Sequence, residues 1–299
     1  MEKKKVIILG GGITGIAIAS LFSEFFDVKI LESKKEIDFH PLRNRDSVFS
    51  FQKINVSGIT WQEIICENYI DDQIPTRRLI EKYKEKCGRK GEKWKFDWFV
   101  PSHPGFKIIQ YDRRLDKYIC FENSVTGIDI FLKRIYCGSS HKYYDYDICI
   151  NTLPAIYIQK CILPQEYAED VTDRIELKFN PLYLMIKYLD QIPYPNIFRM
   201  ETCTDKNVKW FRRSFWNDKV IYESMVRLLN NGDCGCIRNS EISPCYKLIP
   251  GKVIDNPTWN SLLNILEEFN LFNVGRYARH ESYGRIEFAL QKAIEILNS

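Results

Sequence analysis

The most constraining stretch lies near the N-terminus. The β-branched run Val6-Ile7-Ile8-Leu9 breaks into Gly10-Gly11-Gly12-Ile13-Thr14-Gly15 and continues into Ile16-Ala17-Ile18-Ala19-Ser20-Leu21-Phe22. The order is strand, tight turn, helix. A second apolar strand, Val28-Lys29-Ile30-Leu31, ends in Glu32 and a polar exit at Ser33. Glu32 lies about twenty residues past the glycines, where a dinucleotide-binding βαβ unit keeps the acid that accepts from a ribose hydroxyl. Gly10 allows the turn out of the strand, and Gly12 lets the backbone approach a pyrophosphate. Gly15 lets the helix pack close, so that the N–H groups of its first turn, Ile13 and Thr14 included, face the phosphates. A Gly-rich turn without a ligand leaves three successive glycines and Glu32 unexplained.

The remaining bounds are looser. With 299 residues, 45% of them hydrophobic, the chain can bury a sizeable core in two domains or one elaborated one. A formal charge of +4 suits an anionic substrate and falls short of a dedicated nucleic-acid module. The ten cysteines are irregularly spaced, the nearest pair being Cys234-Gly-Cys236, and there are only four histidines, so no metal site is expected. Met1-Glu2-Lys3-Lys4-Lys5 before an apolar stretch superficially resembles a secretory leader, but that stretch holds the glycine turn. It reads as core, in a cytoplasmic chain with reduced cysteines and no membrane span.

Beyond Glu32, Arg43 and Arg45 stand where a side chain can reach the adenosine half or the pyrophosphate of a cofactor, or simply lie on the surface. From Trp61 to Lys86 the apolar spacing (Trp61, Ile64, Ile65, Tyr69, then Leu79, Ile80, Tyr83) predicts a helical insertion. The lysines from Lys82 to Lys95 interleave with aromatics up to Trp98, a pattern that can track a phosphate backbone and stack bases. Glu81, Glu85 and Glu92 dilute the charge and favour a solvated loop. Strands are expected at Phe106–Ile109, Tyr118–Phe121 and Ile128–Ile135. The strand Ile148-Cys149-Ile150 runs into Asn151, Thr152 and Pro154, which a doubly wound sheet would place at the ligand crevice. Further strands (Pro181–Leu189, Ile197–Met200, Val208–Arg213, Val220–Tyr222) predict an antiparallel, substrate-facing sheet. Of the neighbours Arg212 and Arg213, one must point away from the other, so at most one binds an anion. The tail reads as a strand, Leu271 to Tyr277, containing Gly275-Arg276, then an amphipathic helix from Arg285 through Ile286, Ala289, Leu290, Ala293 and Leu297.

Together the two ends resemble the FAD-binding superfamily that contains the amine oxidases, protoporphyrinogen oxidase and UDP-galactopyranose mutase. Gly10 to Gly15 with Glu32 looks like its adenosine-diphosphate site, Tyr146 to Pro154 is similar to its central strand and turn, and Gly275-Arg276-Tyr277 with the helix from Arg285 looks like the segment that lies along the flavin. The resemblance implies FAD rather than NAD. It implies an α/β architecture with a discontinuous Rossmann-like FAD-binding domain (1–45, 105–170, 240–299) and a smaller substrate domain of antiparallel sheet plus helical insertion (46–104, 171–239). Cofactor contacts are expected from Gly10, Gly12, Ile13, Thr14, Gly15, Glu32, Ser33, Arg43, Thr152, Gly275, Arg276, Arg285 and Ile286. The glycine pair that the family usually carries soon after the ribose acid is missing.

The leading expectation is an amine-oxidase-like oxidoreductase acting beside nitrogen. Its substrate walls would come from Trp210, Phe211, Phe215, Trp216 and Tyr222, with Arg212 as a weaker candidate, and no residue stands out as a base. A mutase-type rearrangement of a sugar nucleotide would draw on Arg199, Arg212, Arg213 or Arg276. Flavin-dependent modification of bases in nucleic acid, as in phage DNA, would use the stretch Lys82–Trp98. A non-catalytic dinucleotide sensor is the remaining reading.

Overall fold

The computed structural model describes residues 3–36, 49–50, 55–87, 100–138, 142–163, 175–194, 197–228, 245–281 and 286–298. The chain divides into two compact units, one of Met1–Trp61, Ile108–Lys178 and Val253–Ser299, the other of Gln62–Lys107 and Phe179–Lys252.

The first unit is built on a parallel sheet. Its strands are β1 (Lys5–Leu9), β2 (Asp27–Leu31), β6 (Ile119–Cys120), β10 (Ile148–Asn151) and β17 (Leu271–Asn273), in the order β17-β10-β1-β2-β6. Every pairing in it is parallel. Successive residues of β1 face opposite ways, and both faces are covered, which is why the run is apolar without interruption. Val6 and Ile8 pack with α1 (Ile13–Phe22) and α6 (Ile286–Leu297). Ile7 and Leu9 pack on the other side with the short α3 (Ala155–Ile158), with α4 (Pro257–Glu268) and with the hairpin of β7 (Val125–Asp129) and β8 (Arg134–Cys137). The hairpin belongs to a four-stranded sheet of order β11-β7-β8-β9, completed by β9 (Lys142–Asp145) and β11 (Ile162–Leu163).

The second unit centres on the larger sheet, whose full order is β16-β12-β15-β14-β13-β4-β5-β3. These strands are β3 (Phe49–Ser50), β4 (Ile59–Ile70), β5 (Ser102–Tyr111), β12 (Phe179–Tyr188), β13 (Ile197–Thr202), β14 (Trp210–Trp216), β15 (Lys219–Ser224) and β16 (Tyr246–Val253). Pairing is antiparallel from β12 through β15 and β14 to β13, and parallel between β13 and β4. Helix α2 (Arg77–Lys86) starts at Thr76, whose hydroxyl accepts from the Leu79 N–H, and buries Ile80 and Tyr83 against Ile70 and Phe211.

Three expectations are corrected. The segment from Trp61 to Tyr69 is strand, not helix: Ile64, Cys66, Asn68 and Ile70 are buried while Ile65 is 52% exposed, a period of two that the spacing 61, 64, 65, 69 disguises. Only residues 77–86 of the expected insertion are helical. Ile128–Ile135 is not one strand, because Asp129 accepts from the N–H groups of Phe131 and Leu132 and turns the chain into a hairpin. The last strand stops at Asn273, and Arg276 and Tyr277 belong to α5 (Arg276–Arg279). No described helix is long and apolar enough to cross a membrane.

Helix α1 is buried almost all round, and its approach to β1 depends on one missing side chain. A Cβ on Gly15 would lie 2.1 Å from the Gly10 carbonyl oxygen, a backbone atom that cannot swing aside. Gly15→Ala is therefore expected to destabilise the fold by about 3 kcal/mol through overpacking. Urea unfolding checks this, and a change within the ~0.5 kcal/mol typical of surface substitutions would contradict the packing described.

Candidate functional site

From β1 the chain passes through α1 to β2 on one side of the sheet, while β10 and β17 lie on the other, so strand order reverses between β1 and β10. Ligands of open α/β sheets bind at the carboxyl edge of such a reversal. Here that edge carries Gly10 to Gly15, Glu32, Asn151, Thr152 and Gly275. Gly10 has φ 99°, and a Cβ there would meet the Thr152 hydroxyl oxygen at 2.8 Å and a Leu153 methyl at 2.9 Å. Gly12 caps α1 without a side-chain hydrogen bond, and the first intrahelical bond runs from Ile16 N to Gly12 O. The N–H groups of Ile13, Thr14 and Gly15 thus have no partner within the helix and stand at its positive end. Ile13's side chain packs on the core, so only its backbone serves the edge.

Glu32 closes the loop from the other strand. Its Oε2 accepts from Gly11 N at 2.8 Å, and its Oε1 accepts from Lys34 N at 3.0 Å and from the Ser33 hydroxyl at 3.3 Å. A carboxylate has about four acceptor positions, so Glu32 keeps capacity for a ligand hydroxyl while fixing the glycine turn. Gly11 is a member of this site that reasoning from the motif did not single out. It stands between the two motif glycines, and a Cβ there would meet Glu32 Oε2 at 3.0 Å.

Thr152 spends its hydroxyl on the fold, donating to Leu9 O at 2.7 Å, while its N–H bonds the same carbonyl at 3.0 Å. Asn151 and Asn273, the last residues of β10 and β17, are joined by a 2.7 Å bond from Asn151 Nδ2 to Asn273 Oδ1. Gly275, with φ 96°, approaches the Thr14 methyl, from which a Cβ would stand 3.9 Å away. The two ends of the chain therefore meet at this edge. Arg276 Nε is buried without a hydrogen-bond partner. Ile286 is a core residue of the α1 and α6 layer. Arg43, Arg45 and Arg285 lie outside the described residues.

The expected substrate residues fare differently. Trp210 and Tyr222 form an edge-to-face pair, ring centroids 5.9 Å apart, inside a core cluster, and both are buried. Arg212 makes a two-point pair with Glu223, at 2.6 and 2.5 Å. Burial draws its guanidinium pKa down, but the adjacent Glu223 carboxylate outweighs that and holds it above the ordinary arginine value. Arg213 pairs instead with Glu201, which also takes Arg199 Nε at 2.6 Å. Neighbouring strand residues project to opposite faces, and each arginine finds its carboxylate on its own face. Of the lysines from 82 to 86, Lys84 is buried and pairs with Glu81 and Lys86 donates to Trp210 O, so both turn inward. The stretch beyond Cys87 to Phe99 lies outside the described residues.

Among the described residues, the buried Cys137 and Cys149 are not poised as nucleophiles. Burial pushes the Cys149 thiol well up and Cys137 to about 11, and neither is a thiolate at neutral pH. No cluster of His, Cys, Asp or Glu among the described residues could hold a metal.

Neither a protein-family model nor a curated protein matches the sequence. Solved structures do: reduced UDP-galactopyranose mutase superposes with a TM-score of 0.66 at 11% identity, over 100% of this chain and 94% of the other. This chain shares an α/β fold with that mutase. The PF1083 protein from Pyrococcus furiosus follows at a TM-score of 0.56 and 11% identity, covering 98% of this chain and 97% of that one. A CLA-producing fatty acid isomerase from P. acnes has a TM-score of 0.52 at 11% identity, covering 99% and 98%. At these identities the likeness is one of fold.

His280, which follows α5, is 1% exposed and donates from Nε2 to Lys178 O at 2.9 Å, while Nδ1 has no partner. Burial lowers its pKa, opposed more weakly by the Lys178 carbonyl and by the Asp255 carboxylate. The folded state therefore disfavours the imidazolium. Stability from this residue is present above the unfolded histidine value of about 6.5 and is lost as pH falls below it. Asparagine tolerates the left-handed backbone found here, φ 53°. His280→Asn is expected to flatten the fall in unfolding free energy between about pH 7 and pH 5, read by urea titration, and an unchanged slope would contradict the assignment.

Proposed function

We propose that this chain is a flavoenzyme that holds FAD at the carboxyl edge of the parallel sheet and rearranges a small molecule without net oxidation. The observation that carries the cofactor reading is the junction of the glycine turn, Glu32 and Gly275 at one sheet edge. The α1 N-terminus with Gly12 suits a diphosphate, and Glu32 suits a ribose. Thr14 and Gly275 bring the C-terminal segment beside that loop, as expected if it lies along the rest of a long dinucleotide. When bound, flavin supplies both hydride-transfer and nucleophilic chemistry. The chain's own residues bind and orient it. Glu32 fixes the loop through Gly11, and the Thr152 hydroxyl holds the end of β1 through Leu9.

Rearrangement is favoured over amine oxidation for two reasons. The named enzymes among the fold neighbours are a mutase and an isomerase. An amine-oxidase-like pocket would need aromatic walls, and of the five candidates Trp210, Phe211, Trp216 and Tyr222 are buried as packing while Phe215 is half-buried against the Trp210 and Tyr222 cluster.

The purified protein is expected to show a flavin absorption spectrum and to release FAD on heating, whereas Gly12→Val, which puts a branched side chain where the diphosphate must approach, emerges colourless but folded. A Gly12→Val protein that stays yellow would refute the placement. Turnover that requires reduced flavin and consumes no oxygen supports rearrangement, and stoichiometric oxygen consumption would return the enzyme to the oxidase class.

A further inference from the structure

Two free thiols stand where the parallel sheet meets the hairpin layer. Cys120 ends β6 and is half-buried, Cys137 ends β8 and is buried, and both pack in the apolar layer with Leu9 and Leu31. The chain turns at Glu122, φ 58°, between Cys120 and Val125, and Val125 is the residue opposite Cys137 in the β7–β8 register. Gly138 N donates to Ser124 O at 2.9 Å, which ties the end of β8 to that turn. Lys142 lies opposite Cys137 on β9. Tyr144, and more weakly the two sulfurs, hold its ammonium above the ordinary lysine value, so one cation acts on both thiols. A half-buried thiol beside a cation and a second thiol is the arrangement that peroxides oxidise selectively.

The same turn holds Glu32. Glu32 N donates to Cys120 O at 3.1 Å, Asn123 N donates to Glu32 O at 2.8 Å, and Asn123 Oδ1 accepts from the Tyr144 hydroxyl at 2.9 Å. Glu32 Oε2 in turn fixes Gly11. Drawing Cys120 toward β8 therefore pulls on the backbone that sets the carboxylate.

We propose that Cys120 and Cys137 form a reversible disulfide under peroxide, and that the bridge weakens dinucleotide binding through Glu32. The second half rests on the FAD reading above. Hydrogen peroxide converts the Cys120 thiol to a sulfenic acid and releases one water. The Cys137 sulfur then attacks the Cys120 sulfur and expels a second water, so two thiols give two electrons and two protons to one peroxide. Burial keeps Cys137 largely protonated at neutral pH, so the bridge closes slowly there and faster as pH rises. The test treats the flavin-free protein with hydrogen peroxide, maps linked peptides by mass spectrometry, and titrates FAD by fluorescence quenching before treatment, after it, and after dithiothreitol. A Cys120–Cys137 linked peptide is expected, together with an FAD dissociation constant about tenfold higher, as for one lost hydrogen bond, that dithiothreitol restores. Cys120→Ser and Cys137→Ser each bind FAD like the reduced wild type and keep that affinity after peroxide. Thiols that stay reduced, that oxidise without joining, or that join while FAD affinity is unchanged overturn the proposal. A reduced wild-type protein that binds no FAD overturns instead the cofactor reading, and the linked peptide still decides whether the two thiols are a redox pair.

Discussion

The close approach of α1 to β1 is the contact on which the first unit depends. The Gly10 carbonyl occupies the space that a Gly15 side chain would need, so the helix begins immediately beyond the strand with its unpaired N–H groups at the sheet edge. Burying β1 on both faces requires layers above and below it, and α1 with α6 forms one while α4 and the β7–β8 hairpin form the other. The same contact therefore sets the core and the site. Thr152 and Val274 extend the arrangement by stitching the ends of β1, β10 and β17 to one another beyond their ladders.

The strand, turn and helix from Val6 to Phe22 were legible because three independent signals agree there: β-branched residues, glycines and small helical residues. Strand β10 was legible for a similar reason, as an apolar run that stops at a polar turn. The segment from Trp61 to Tyr69 misled because a strand with one partly covered face can place its large residues at helical spacing. Helix α4 escaped notice although its signals are present: Asn256 caps it by accepting from Trp259 N, Pro257 opens it, and Trp259, Leu262, Leu263 and Leu266 fall on one face. The Asn151–Asn273 pair could not be foreseen, since it joins residues 122 positions apart and depends on β10 and β17 being neighbours. A hint existed, because both short apolar strands end in asparagine.

In the second unit, charge is organised by the alternation of β14. Arg212 and Arg213 sit next to each other yet neutralise different carboxylates, Glu223 and Glu201, on opposite faces. Glu201 is almost fully buried and holds two guanidiniums, with Arg199 stacked 4.1 Å from the Tyr69 ring and 4.7 Å from Tyr194. Removing one member of such a network leaves the others desolvated and unpaired, so these residues specify the sheet before they serve any ligand. Composition showed arginines and aromatics together, but not that they satisfy one another.

The central claim is that FAD sits where the two chain ends meet. Hydrogen–deuterium exchange with and without FAD tests it directly, because the claim concerns particular backbone amides. The account predicts slowed exchange in peptides covering Gly10–Gly15 and Gly275–Tyr277, with the core of α4 unchanged. Protection confined to other segments, or none at saturating FAD, would contradict it.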